Sequence, residues 1–219
     1  MTKMICIIGL SGTGKSTYLN EILAKRVELK ISNLKRLVYY TTRKPRPGEI
    51  NGLDYYFVNF EEKPVSLVAL KGSSSGVMIS RNPELVEERC YKTENNGVVY
   101  YYTTKNCVED KYYICAPSIE QLNSYADYFG DNRIAIVELD VDLKTRIKRM
   151  IDQRSTTDND IYEICRRVLA EREEWKDGYK QLFAKHKGIK YMRIDNSKDG
   201  QEKANIKAIA EFIREQLER

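Results

Sequence analysis

The run Gly9-Leu10-Ser11-Gly12-Thr13-Gly14-Lys15-Ser16-Thr17 fits the pattern G-x-x-x-x-G-K-[ST]. Glycine at these places lets the backbone curl so that successive N–H groups point inward at phosphate oxygens. Lys15 brings a cation to the β- and γ-phosphates, and the Ser16 hydroxyl is a ligand for the Mg²⁺ that travels with a nucleoside triphosphate. Gly9, Ser11, Gly12, Thr13, Gly14, Lys15, Ser16 and Thr17 are therefore candidate ATP-binding residues, with Lys15 catalytic and Ser16 the metal ligand. A second run, Thr41-Thr42-Arg43-Lys44-Pro45-Arg46-Pro47-Gly48, is basic and stiffened by proline. Arg43 and Arg46 on such a loop make a bidentate grip for a monophosphate dianion. Taken alone, the same run also fits a solvated loop or a nucleic-acid patch.

What is missing narrows the chemistry. A switch GTPase carries base-reading N-K-x-D, and the chain offers only Lys105-Asn106, in the wrong order. The five cysteines are scattered with no C-x-x-C pair, and the single histidine, His186, cannot complete a zinc cluster. His186 lies in Lys185-His186-Lys187, which predicts a solvated side chain and argues against Ser-His-Asp or Cys-His hydrolysis.

The elements that must hold these residues follow from apolar patterning. Met4 to Ile8 is a continuous apolar run ending at glycine, as in a strand buried on both faces of a parallel sheet. Leu19, Ile22, Leu23 and Val27 recur at helical spacing, so a helix is expected from about Lys15. Leu37 to Tyr40 and Asp54 to Phe60 read as strands. Lys71-Gly72-Ser73-Ser74-Ser75-Gly76 reads as a flexible link, and Asn95-Asn96-Gly97 as a hairpin turn between strands 89–93 and 98–104. Tyr112 to Ala116, Ile134 to Leu139 and Lys190 to Ile194 read as buried strands. Leu143 to Trp175 is a charged helical region broken near 155–160. The last helix shows Ile206, Ile209, Ala210, Ile213 and Leu217 on one face. Strand–helix alternation at both ends, interrupted by a tyrosine-rich β segment, predicts an α/β parallel-sheet core with a small inserted domain.

Composition sets the class. The chain has 219 residues, a net charge of +5, 42% hydrophobic and 32% charged residues, which suits a globular protein with its own core. No apolar run is long enough to span a bilayer, and Met4 to Leu10 is too short for a secretory h-region. A cytoplasmic location is expected. A charge of +5 suits phosphate-bearing ligands without indicating nucleic acid.

Tyr40-Thr41-Thr42-Arg43-Lys44-Pro45-Arg46-Pro47-Gly48-Glu49-Ile50-Asn51-Gly52-Leu53-Asp54-Tyr55-Tyr56-Phe57-Val58, together with the glycine-rich loop, resembles the guanylate kinase family of P-loop nucleoside monophosphate kinases. The resemblance implies a P-loop fold with a parallel sheet flanked by helices. It implies a CORE of residues 1–38 and 105–219, a helical LID at about 146–167, and an inserted monophosphate-binding domain at 39–104. The implied reaction is ATP + GMP (or dGMP) to ADP + GDP (or dGDP) with Mg²⁺, by a monomer or homodimer that has small-molecule nucleotide partners and no nucleic acid or membrane partner. It implies acceptor contacts from Tyr39, Arg43, Arg46, Tyr55, Glu87 and Thr103, with Glu87 accepting from the guanine edge. It implies LID arginines Arg154 and Arg167 acting with Lys15 and Arg43 on the transferring group, Arg149 competing with Arg154, and Asn196 on the adenine side. Arg146, Arg149, Arg166 and Arg172 also fit solvated helix faces. The chain departs from the family pattern where Tyr39 or Tyr40 stands for a guanine-reading serine, where Tyr112-Tyr113-Ile114-Cys115-Ala116-Pro117 stands for an acidic L-D-x-D segment, and in the link at 71–76. A kinase of another (deoxy)nucleotide or phosphorylated-sugar acceptor, or a non-catalytic guanylate-kinase-like binding module, are the alternatives.

Overall fold

The computed structural model describes residues 3–45, 48–59, 75–77, 85–93, 97–108, 111–154 and 157–218. Strands and helices run β1 (Lys3–Ile8), α1 (Lys15–Ala24), β2 (Leu34–Arg36), β3 (Tyr39–Thr41), β4 (Tyr55–Phe57), β5 (Ser75–Val77), β6 (Leu85–Thr93), β7 (Gly97–Thr104), β8 (Tyr112–Cys115), α2 (Ile119–Phe129), β9 (Ile134–Asp140), α3 (Leu143–Arg154), α4 (Asp158–Lys185), β10 (Lys190–Asp195) and α5 (Glu202–Leu217). They group into two compact units, Met1–Arg36 with Lys111–Arg219, and Leu37–Asp110.

In the first unit five parallel strands lie in the order β10-β9-β1-β8-β2. The apolar run of β1 is buried from Met4 to Ile8, because both sheet faces are covered. On one face Ile5, Ile7, Val137 and Leu139 pack with Tyr18, Leu19 and Ile22 of α1 and with Ile206, Ile209 and Ile213 of α5. Each such aliphatic side chain contributes roughly 1.5–3 kcal/mol by leaving water. Cys6 and Cys115, cross-strand neighbours on β1 and β8, are both free, buried thiols. Ser118 caps α2 by accepting from the Gln121 N–H at 3.2 Å, and α2 packs against α4 and β9. No described helix is long and apolar enough to cross a membrane.

The second unit is a five-stranded sheet, β4-β3-β7-β6-β5, parallel at β3–β4 and antiparallel elsewhere. Strand alternation divides its residues between two faces. Tyr40, Tyr56 and Tyr102 share one of them, with Tyr40 stacked on Tyr102 at 5.0 Å between centroids. Tyr39, Thr41, Tyr55, Glu87, Arg89, Tyr101 and Thr103 fall on the other through the pairs Tyr39↔Tyr55, Thr41↔Tyr101, Arg89↔Tyr101 and Glu87↔Thr103.

Several sequence expectations change. The three-residue β2 was too short to stand out. Val27 lies past the end of α1 and is 74% exposed, while Tyr18 takes a core place on that helix. Of the expected link, 71–74 lie outside the described residues and Ser75-Gly76 open β5. The long second half of the charged helical region continues to Lys185. His186 is buried, not solvated: it ends α4 with Nδ1 2.8 Å from Asp131 Oδ1. Burial works against the Asp131 charge, but the Gly188 N–H at 2.9 Å and His186 outweigh it and hold that carboxyl below its usual range. Its neighbour Lys185 pairs with Asp127, and the same carboxylate lies 3.2 Å from His186 Nε2.

Candidate functional site

Between β1 and α1 the chain makes the turn that its glycines dictate. Gly12 and Gly14 have φ of +82° and +94°, in the left-handed region open to glycine. At Gly12 a Cβ would stand 2.6 Å from the Arg146 carbonyl oxygen, so α3 itself enforces glycine there. Gly14 is the N-cap of α1, with no side-chain cap and no acidic residue in the first turn. The positive end of that helix is thus left to an anion brought from outside. Lys15 folds back over the turn, donating to the carbonyls of Gly9 at 2.7 Å and Leu10 at 3.0 Å. Thr13 is buried and donates to the Leu10 carbonyl, whereas Ser16 and Thr17 are exposed. Asn196 braces the turn from behind: its amide donates to the Thr13 carbonyl at 3.0 Å and accepts from Tyr18 Oη at 2.6 Å.

Two residues from α3 and α4 clasp the same turn. The Ser11 N–H donates to Glu171 at 2.6 Å and its hydroxyl donates to the other carboxylate oxygen, while Arg146 Nη1 donates to the Ser11 carbonyl at 3.2 Å. Arg146 is 6% exposed, so it does not belong on a solvated helix face. Burial lowers its pKa despite the nearby carboxylates of Glu171, Asp140 and Asp142. Neither residue was singled out for this role from sequence, because α3 and α4 meet the loop only through the fold. Further along α4, Arg167 donates to Glu163 at 2.7 Å and Arg166 grips the same carboxylate. Those bonds, Arg166 first, hold the Glu163 carboxyl down to about 2 against its partial burial. Arg149 lies 3.5 Å from Asp199. Arg154 ends α3, and its side chain lies outside the described residues, as does Arg46 altogether.

No described group of three or more His, Cys, Asp or Glu side chains could cage an ion. At the end of β9, Asp140 pairs with Arg193 at 2.6 Å and Asp142 caps α3 through the Thr145 N–H at 3.0 Å. The exposed Ser16 hydroxyl on the first turn of α1 fits an Mg²⁺ carried by phosphate oxygens and water, which needs few protein ligands.

In the second unit Tyr39, Arg43, Tyr55, Glu87 and Thr103 come together on one sheet face and the loop leaving β3. Arg43 is 6% exposed and fully engaged in geometry: both terminal nitrogens meet Glu49, at 2.8 and 2.9 Å, and Nε donates to Tyr101 Oη at 3.1 Å. Its guanidinium also lies 5.3 Å from the centre of the Tyr55 ring. Burial opposes the Arg43 charge, and the bonds to Glu49 and Tyr101 more than offset it, so its pKa is raised. Burial likewise pushes the Tyr55 phenol up. Glu87, 5% exposed, accepts from Thr103 Oγ1 at 3.0 Å and from Arg89 Nε at 3.1 Å. Arg89 and Tyr101 are the members of this group that sequence reasoning did not assign. Their two-residue spacing from Glu87 and Thr103 on adjacent strands is the signal that places them there.

Comparison with known proteins bears on both halves. The family model described as guanylate kinase matches residues 1–67. A guanylate kinase of Porphyromonas gingivalis is 32% identical over 184 residues, covering 84% of this chain and 86% of its own length. A guanylate kinase of Wolbachia pipientis wMel is 60% identical over 53 residues, 24% of this chain and 23% of its own. A solved guanylate kinase structure from Anaplasma phagocytophilum aligns over 98% of this chain and 86% of its own at 18% identity and a TM-score of 0.46, too loose a likeness to add to the sequence match.

Proposed function

The chain belongs to the guanylate kinase family, and on that footing we propose that it transfers the γ-phosphoryl group of ATP to GMP or dGMP, giving ADP and GDP or dGDP. The observation that carries this reading is the acceptor face of the second unit. There a buried carboxylate, Glu87, sits on the same sheet face as Tyr55 and as Tyr101, whose hydroxyl accepts from Arg43. Guanine presents N1–H and an amino group, both donors, which a carboxylate satisfies; adenine has no N1–H to give. A buried acceptor left unpaired by the wrong base costs affinity, which is the physical basis of selection.

Each group then has a task. Arg43, Arg46, Tyr55 and Tyr39 hold the acceptor, with Thr103 fixing one oxygen of Glu87. For the phosphate to reach Arg43, Glu49 must give up the guanidinium that it holds in a bidentate pair; the carboxylate stands in for the phosphate in charge and fork geometry. On the donor side, the N–H groups of Gly12 to Ser16 and the Lys15 ammonium take the triphosphate. Gly9 and Thr17 shape the ends of the cradle, and Asn196 serves it through Thr13. Mg²⁺, when bound with ATP at Ser16, supplies charge neutralisation on the phosphates. Arg167, with Arg154 or Arg149, stabilises the charge of the moving group, so transfer needs only positioning and electrostatics. The first unit is thereby the CORE with its LID, and the second the monophosphate-binding domain. The ligands are small nucleotides.

Initial rates of ADP release with GMP, dGMP, IMP, AMP, UMP and dTMP test the reading, in the unaltered protein and in Glu87→Gln. GMP or dGMP leads, and the glutamine variant loses most on those two. A pyrimidine monophosphate as the best acceptor would overturn the guanine assignment.

A further inference from the structure

Arg89 lies half-buried beside the carboxylate proposed to read the base, without belonging to the phosphate grip. Its side chain is 12% exposed and that of Glu87 1%. Nε donates to Glu87 Oε2 at 3.1 Å, while Thr103 donates to the other oxygen, Oε1. The guanidinium carbon lies 5.8 Å from the centre of the Tyr101 ring, and the Tyr101 hydroxyl accepts from Arg43. A continuous chain of contacts thus runs Thr103–Glu87–Arg89–Tyr101–Arg43. The strand register slips between Leu85 and Glu87, so that Glu87 faces Thr103 and Arg89 faces Tyr101. Such irregularities re-aim side chains next to sites.

Stability alone gives a poor account of this pair. Removing an arginine and a glutamate from water costs several kcal/mol each, and apolar replacements are often as stable or more so. What the pair does supply is orientation. A carboxylate can satisfy N1–H and the 2-amino group of guanine together only if its two oxygens lie in the plane of the base. Thr103 on one oxygen and Arg89 on the other hold both atoms in place.

We propose that Arg89 is a specificity-determining positioning residue of the acceptor site: it acts through Glu87, fixing the plane of that carboxylate for a base carrying both an N1–H and a 2-amino donor. The inference rests on the reading of Glu87 as the group that accepts from guanine. It sets the substrate class at purine monophosphates with the 2-amino group, GMP and dGMP above IMP. IMP offers the N1–H but no 2-amino group, so it depends on one oxygen and loses less when the carboxylate turns.

The test is the ratio of kcat/KM for GMP over IMP in Arg89→Met, Arg89→Lys, Glu87→Gln and the double variant. In Arg89→Met the GMP KM rises about 10- to 100-fold, the scale of a lost hydrogen bond to a charged group. The IMP KM rises less, the ratio falls about tenfold, and the ATP KM stays within about twofold. Arg89→Lys, which returns a cation to Glu87, recovers most of the ratio. In the Glu87→Gln background, adding Arg89→Met changes the ratio by less than about twofold, because the two act as a unit. An unchanged ratio in Arg89→Met, with GMP and IMP impaired alike and the melting temperature lowered, would reduce Arg89 to a structural ion pair and overturn the proposal. So would additive effects in the double variant. Should Arg89→Met not fold, Arg89→Gln carries the same comparison. If Glu87→Gln alone leaves GMP turnover intact, it is the reading of Glu87 that fails, and that outcome is separate from any result at Arg89.

Discussion

The Lys15 ammonium rests on the carbonyls of Gly9 and Leu10, contacts at a half-buried position that water can replace. Lys15→Ala is therefore expected to leave the melting temperature within a few degrees while turnover falls at least about a hundredfold, since the lost charge acts on the transferring phosphates. Turnover and melting measured on one preparation check it. Arg43 behaves differently because it is buried and paired with Glu49, whose side chain is 19% exposed. Arg43→Ala raises the GMP KM strongly, leaves the ATP KM nearly unchanged, and also costs about 3 kcal/mol, the scale of breaking a buried pair from one side. Arg43→Lys keeps the charge and much of the stability but loses the fork, so its GMP KM still rises. A donor KM that moved instead would reverse the two sites. Lys15 and Arg43 stood out in the sequence as candidates because the chemistry proposed for them belongs to short local motifs. The sequence did not reveal that Arg43 is sequestered, nor that Glu171 holds Ser11, since those partners are set by how the chain folds back. His186 was misread for the same reason: its sequence neighbours are lysines, but its neighbours in space include Asp131 and Asp127.

On α4, Glu163, Arg167 and Glu171 fall four residues apart and so share a side of the helix. Glu171 places a carboxylate on the Ser11 N–H and hydroxyl, groups of the loop proposed to take the triphosphate. A triphosphate brings negative charge to the same loop, so Glu171→Gln is expected to lower the ATP dissociation constant about three- to tenfold, read by titration calorimetry. A higher constant would mean that Glu171 shapes the loop for ATP. Glu163 supplies a pH signature. Its carboxyl is held at about 2 against an ordinary 4.5, so its contribution is complete above about 4.5 and is lost as pH falls towards 2. The pair is partly exposed and the effect is modest, well under about 1 kcal/mol. Glu163→Gln should flatten that part of the acid-stability curve. The start of α4 is written in Thr157 and Asp160, which form a capping box. Its far end was not legible, because the helix runs through Gly178, where Ile119 lies too close for any Cβ.

For the whole molecule, the parallel sheet was readable because continuous apolar runs such as Met4 to Ile8 are what a strand covered on both faces requires. The second unit was readable as β-rich from its tyrosines and its hairpin. Its two-faced division, acceptor groups on one side and the Tyr40–Tyr102 stack on the other, emerges only from strand register. Gly12 ties sheet, loop and helix together: Gly12→Ala puts a methyl on the Arg146 carbonyl at a backbone angle that alanine resists. That variant should lose ATP binding and part of its stability together, unlike Lys15→Ala. Incubation with ATP labelled at the γ-phosphorus, with and without GMP, followed by separation of the nucleotides, decides whether the phosphate cradle and the acceptor face serve one transfer. Label is expected in GDP, dependent on GMP and abolished in Lys15→Ala; label appearing only as free phosphate, or remaining in ATP when GMP is present, would overturn that reading.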